Sequence, residues 1–207
     1  GGVGFGDPVH VARAIWEIEA TGAVAIELED QVAPKRVSHH RGIEHLVSAG
    51  DMCDKIEQAV KHRRDPLFKI IARTGAIKAE GFDQAIVRAK SYAEAGADMI
   101  LLLPESLEQC QRAPELIDRP LATIAYMSQR EVSEWHDLGW SLVIDPFTAQ
   151  VVSIAAILDA YQRFQNTGAT GYQIEDIFKI YRQLPELAGL QALYDIEDQT
   201  TLKDQDS

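Results

Sequence analysis

Charged groups able to do chemistry stand at the ends of short apolar, β-branched runs. The runs end at Glu29-Asp30, Arg73-Thr74, Pro104-Glu105, Ala125-Tyr126 and Asp145-Pro146, and each gives way to a helical pattern. In a parallel α/β sheet or barrel the C-terminal strand ends share one face, so groups distant in sequence converge there on one ligand. Arg73 carries a planar fork that binds a carboxylate through two bonds, and a buried arginine at a strand end needs an anion. Between the first two ends lies a polar segment, Gln31 to Gly42, that holds Lys35-Arg36 and His39-His40. It is too irregular for helix or strand and sits where an active-site loop belongs.

The elements that must position these groups follow from periodicity. Asp7 before Pro8 starts a helix whose apolar face is read as Val9, Ala12, Ile15 and Ile18, closed by Gly22. Strands are expected at 23–28, 68–72, 99–103, 121–125 and 142–144, with helices at 51–64 and 82–95, from Ser106, and at 147–165. Ser128 with Glu131 reads as a capping box for a helix ending near Gly139. Asn166 to Gly171 reads as a linker, followed by helices at 174–184 and 187–194 and an acidic, frayed tail.

Composition narrows the class of ligand. The net charge of −12 argues against a nucleic-acid partner, whose phosphates an acidic surface repels, and favours a small molecule. Cys53 and Cys110 lie in helical patterns without metal-type spacing, which reads as free thiols in a reducing cytoplasm. No apolar run reaches the ~18 residues of a membrane span. The 207 residues suit one sizeable domain but fall short of the ~250 typical of a complete eight-stranded barrel.

The wording becomes specific from Glu29 onward. Glu29-Asp30-Gln31, Pro34-Lys35-Arg36, His39, Gly42, Leu46-Val47, Met52, Lys55-Ile56, Ile71-Ala72-Arg73-Thr74, Gly81 to Ala89, Tyr92, Glu94 to Asp98 and Pro104-Glu105 occur in an order and spacing that resembles the isocitrate lyase and phosphoenolpyruvate mutase superfamily, especially its methylisocitrate lyase-like branch. The resemblance implies an (α/β)8 TIM-type barrel. In those terms residues 1–165 are a partial barrel, strands four to eight, and 166–207 are a C-terminal helical segment and tail whose helices are swapped between subunits of a homo-oligomer, a dimer or tetramer. The first three strands, with the Asp-x-Asp strand end that binds metal, are expected upstream of Gly1. The opening glycines match the turn after that strand, which assigns Gly2 and Gly4 to substrate binding.

The same resemblance implies Mg²⁺ as cofactor and a small carboxylate as substrate. The reaction is cleavage of a C–C bond in a 2-oxo or 2-hydroxy dicarboxylate, by a lyase or decarboxylase, through an enolpyruvate-type intermediate. Alternatives are C–P chemistry, by a phosphonomutase or phosphonate hydrolase, and a non-catalytic assembly relative. By position Glu29 contacts metal-bound water, Lys35, Arg36, Ser38 and His39 belong to the catalytic loop, and Arg73 and Glu105 bind substrate. The chain departs from the pattern at Val37, where the lyases have a proton-donating cysteine, at Ser38 for a glycine, and at Gly75 for an aspartate after Arg-Thr. A zinc reading of His40, Glu44 and His45 fails, being one residue longer than His-x-x-Glu-His.

Overall fold

The computed structural model describes residues 2–201; Gly1 and the last residues of the acidic tail, 202–207, lie outside it. Two compact units divide the chain, Gly1–Thr148 and Ala149–Ser207. In the first, helix α1 (Pro8–Glu19) precedes strand β1 (Ala25–Glu29), a 3-10 turn (Val37–Arg41), α2 (Ala49–His62) and β2 (Lys69–Arg73). Then follow α3 (Ala76–Glu80), α4 (Phe82–Glu94), β3 (Met99–Leu101), α5 (Leu107–Leu116), β4 (Leu121–Ile124), α6 (Val132–Asp137) and β5 (Leu142–Ile144). The strands pair in sequence order, all parallel, as a five-stranded sheet that forms an arc of a TIM-type barrel.

Alternation in the strands gives the core. Ile26 and Leu28 of β1, Ile70 and Ala72 of β2 and Ile100 of β3 are buried and pack with Val11 and Ile15 of α1, Met52 and Ile56 of α2, and Ile86 and Ala89 of α4. Each fully buried Leu or Ile contributes about 1.5–3 kcal/mol. The apolar face of α1 keeps the expected Ala12 and Ile15, with Ile18 packed partly buried against the core, but Val11 and Ala14 join it and Val9 is 77% exposed. Val11 takes the place of Val9 because the i, i+4 pair Val11 and Ile15 meets the sheet. A second correction concerns α6. Gln129 N–H bonds Tyr126 O in a turn, so Ser128 falls short of the helix and Glu131 is the cap, in a box with Glu134.

In the second unit, α7 (Thr148–Thr167), α8 (Ile174–Tyr181), α9 (Leu184–Leu187) and α10 (Leu190–Gln199) carry exposed apolar side chains, among them Ile157, Tyr161, Phe164, Ile177 and Phe178. Helix α7 runs through the Asn166 expected to open the linker and stops before Gly168, whose φ is +77°. The C-terminal stretch breaks into three helices rather than two, because Pro185 opens α9 and Gly189 adopts a left-handed conformation ahead of α10. Among the described residues no helix is long and apolar enough to cross a membrane.

A buried carboxylate ties the strand ends of the first unit together. Asp30 is fully buried, and its Oδ2 accepts hydrogen bonds from Thr74 Oγ1 at 2.6 Å and Tyr92 OH at 2.7 Å. Arg88 stands 3.5 Å from that oxygen, grips Glu80 with two bonds and donates to Val47 O. Asp30 N–H bonds Arg73 O, and Asp30 O accepts from Val47 N–H. Burial pushes the Asp30 carboxyl above the usual carboxylate range, against the pull of Thr74, Tyr92 and Arg88. Burial also raises the Tyr92 phenol.

The N-terminal turn is pinned to this sheet. Glu29 N–H bonds Gly2 O at 2.9 Å, and Lys55 Nζ bonds Val3 O at 3.1 Å. Gly4 has φ +87°, and a Cβ there would stand 2.6 Å from Val11 Cγ2. Gly4→Ala should therefore cost about 1–3 kcal/mol by overpacking and strain, read as a lower urea midpoint; an unchanged midpoint would contradict this packing. Asp30→Asn tests the hub by pH. With the folded pKa raised above the unfolded value of ~3.9, the native state holds the proton more tightly, so stability falls as pH climbs from about 4 through the folded value, then levels. Urea titrations should show the wild-type stability, minus that of Asp30→Asn, declining across this window; a constant difference would refute the burial penalty.

Candidate active site

The register of β1 against β2 puts Glu29 directly beside Arg73 at the C-terminal ends of adjacent strands. Glu29 is 1% exposed, paired with Lys35 from the loop and with Arg73 Nε at 3.2 Å. That second contact lacks hydrogen-bonding geometry, so Glu29 Oε1 and Arg73 Nε are both buried without a hydrogen-bond partner. Arg73 also donates to Glu27 Oε1 at 3.2 Å. The anion that a strand-end arginine requires is thus supplied by the chain's own Glu27 and Glu29. A buried carboxylate oxygen that is ion-paired yet accepts no hydrogen bond marks a place where a further donor or cation fits.

The loop after β1 is a strap with a closed stem. Gln31 forms an antiparallel bridge with Leu46, and Val32 N–H bonds His45 O. At its tip the 3-10 turn ends on Gly42 in the left-handed region. Within the strap Ser38 Oγ lies 3.1 Å from His45 Nε2, and His39 Nδ1 lies 3.2 Å from Glu44. Gln31 Nε2 donates to Glu44 and stands 2.9 Å from His39 Nδ1. Val37 is 83% exposed. Arg36 precedes the turn, and its carbonyl accepts from His39 N–H.

The expected residues thus form two groups. Glu29, Lys35 and Arg73 make one. His39 and Glu105 line a cavity of about 700 Å³ together with Arg41, Glu44, Gly75, Lys78 and Tyr126. Glu105 is exposed ahead of α5, its N–H bonded to Gln109 Oε1. Gly2 and Gly4 contribute the turn described above. A larger concavity, about 870 Å³, is lined by residues of α1 and α2 alone and lacks any strand-end group. Sequence reasoning gave no task to Gln31, Arg88 or Tyr92 and weighed Glu44 only as a zinc ligand. Arg88 and Tyr92 were legible as an i, i+4 polar pair on α4.

Among the described residues no group of three or more His, Cys, Asp or Glu side chains is arranged to hold a metal ion. Glu29 offers a carboxylate oxygen suited to a hard, hydrated cation such as Mg²⁺, which keeps several waters and takes one or two carboxylates.

A family model described as phosphoenolpyruvate phosphomutase matches residues 2–165. The chain is 35% identical over 201 residues to 2,3-dimethylmalate lyase of Eubacterium barkeri, covering 94% of this chain and 68% of that protein. It is 40% identical over 175 residues to a probable 2-methylisocitrate lyase 2 of Corynebacterium glutamicum, covering 80% of this chain and 55% of the relative, little more than half its length. A crystal structure of phosphonopyruvate hydrolase with oxalate and Mg²⁺ superposes with a TM-score of 0.77 at 26% identity, over 97% of this chain and 71% of the other. Register, loop and matched span agree: the chain belongs to the phosphoenolpyruvate mutase/isocitrate lyase superfamily.

Proposed function

We propose that this chain carries the active face of a Mg²⁺-dependent lyase or decarboxylase that cleaves a C–C bond in a small 2-oxo or 2-hydroxy dicarboxylate. The observation that carries the reading is the orphaned, buried oxygen of Glu29 between two cationic side chains at the strand ends. The relatives' names, 2,3-dimethylmalate lyase and 2-methylisocitrate lyase, support C–C chemistry over C–P chemistry. A bound Mg²⁺ would supply positive charge opposite a developing enolate oxygen.

Each residue then has a task. Arg73 holds a substrate carboxylate with the part of its fork that Glu27 and Glu29 leave, and Glu29, whose Oε1 accepts no hydrogen bond, would hold the water shell of the cation. Lys35 bridges the loop to Glu29 and closes the site over an anion, with Arg36 adding charge at the loop entrance. A 2-hydroxy acid gives its hydroxyl proton to a base as the C–C electrons pass toward a carboxylate. A 2-oxo acid loses CO₂ as those electrons pass toward the oxo group. In both cases the new carbanion takes a proton. Val37 cannot give one. Water, or Ser38 through its contact with His45, supplies it, while His39 on the cavity wall takes the hydroxyl proton of a 2-hydroxy acid. Glu105 orients the substrate from the opposite wall, and Gly2 and Gly4 shape the turn beneath. The exposed apolar side chains of α7 and α8 suit packing against a second copy in a dimer or tetramer. The free thiols Cys53 and Cys110 suit a cytoplasmic setting.

The purified protein, assayed with Mg²⁺ on a panel of methyl-substituted malates and isocitrates, should release a 2-oxo acid. Arg73→Lys should lower kcat/KM about 10- to 100-fold, the loss of a charge-assisted bond worth about 1.5–3 kcal/mol. Turnover insensitive to Arg73→Lys would remove it from the site. An oligomeric protein inert to every acid would favour the assembly reading.

A further inference from the structure

Position 75 and Glu44 compete for one volume. Gly75 has φ −88°, a conformation any residue adopts, so its glycine is not required by the backbone. What excludes a side chain is Glu44: a Cβ on Gly75 would stand 2.9 Å from Glu44 Oε2, 3.0 Å from Cδ and 3.2 Å from Cγ. The Glu44 side chain is only 6% exposed, and its carboxylate faces His39 Nδ1 with both oxygens at 3.2 Å. Gln31 Nε2 donates to the same carboxylate from beside the ring, 2.9 Å from His39 Nδ1. All three groups come from the strap closed by the Gln31 and Leu46 bridge.

We infer that Glu44 is the positioning residue for His39, a carboxylate delivered from the strap into space that a side chain at position 75 would otherwise fill. The inference rests on the reading of His39 as an active-site residue. A carboxylate facing a ring nitrogen favours the tautomer with the proton on that nitrogen, because the alternative sets a lone pair against a negative charge. Glu44 therefore keeps the proton on Nδ1 and leaves Nε2 as the working nitrogen of His39, on the wall of the 700 Å³ cavity. The relation also gives Gly75 its reason. A larger residue there would push the flexible Glu44 head away from His39 rather than move the backbone.

The test reads the tautomer directly, in the full chain labelled with ¹⁵N-histidine at alkaline pH, with His39→Gln to assign the signals. Wild type should show the Nδ1–H form. Glu44→Ala should shift the ratio about tenfold or more toward Nε2–H, the order expected from a charged hydrogen bond of about 1.5–3 kcal/mol. Glu44→Ala with Gly75→Asp, which relocates the carboxylate to the neighbouring backbone position, should return it to Nδ1–H. Glu44→Met, close in volume and without an acceptor oxygen, gives the same reading should Glu44→Ala unfold. A wild-type His39 in the Nε2–H form, accepting from Gln31 Nε2 at 2.9 Å, would overturn the inference, as would a tautomer indifferent to residue 44. No substrate is needed. An inert chain with Glu44-dependent Nδ1–H would sink the catalytic reading and leave the positioning intact, and an active chain with an indifferent tautomer would do the reverse.

Discussion

A carboxylate with no exposed surface is costly to ionise unless donors surround it, and the first unit is organised around meeting that demand at Asp30. Its donors come from separate places: Thr74 after β2, Tyr92 and Arg88 on α4, with Gly75 N–H at 3.4 Å as a weak fourth. Satisfying one side chain therefore fixes the ends of two strands, the face of α4 and, through Val47, the return of the strap. Glu29 and Arg73 are the immediate neighbours of this knot, Glu29 beside Asp30 and Arg73 beside Thr74. Their side chains inherit its rigidity, which is what a site built on rigid elements needs.

Two buried acids, adjacent in sequence, thus take opposite roles because alternate residues of a strand face opposite ways. Asp30 is saturated with donors and structural. Glu29 is held by two cations yet keeps an oxygen without a hydrogen bond. The oxygen without a hydrogen bond belongs to the group at the strand ends, the proposed ligand-binding face. The strap covers that face with Lys35 on one side and the His39, Glu44 and Gln31 group on the other.

The strand positions and the chemical importance of the strand ends were readable because β-branched runs and polar ends report local geometry. Pairing was not readable: nothing within either strand says that Glu29 meets Arg73 in register, so the anion for Arg73 was sought in a ligand when Glu27 and Glu29 provide it. The family likeness located Lys35, His39 and Glu105 in the loops but said nothing of Glu44, whose role depends on the closed strap and on the missing side chain at position 75. Val9 of α1 and the cap of α6 were misread for a related reason. Helical phase and capping depend on the preceding turn, and the turn from Tyr126 to Gln129 leaves Glu131, not Ser128, at the start of α6.

The Glu29 and Arg73 pair is proposed to mark the ligand-binding face. The most direct measurement is a crystal structure of the protein soaked with Mg²⁺ and oxalate, a compact mimic of an enolate dicarboxylate. The expected result is oxalate within hydrogen-bonding distance of Arg73, with Glu29 Oε1 facing the hydrated ion. Oxalate bound between α1 and α2, or Glu29 and Arg73 left with the same unpartnered atoms while ligand occupies another place, would contradict it.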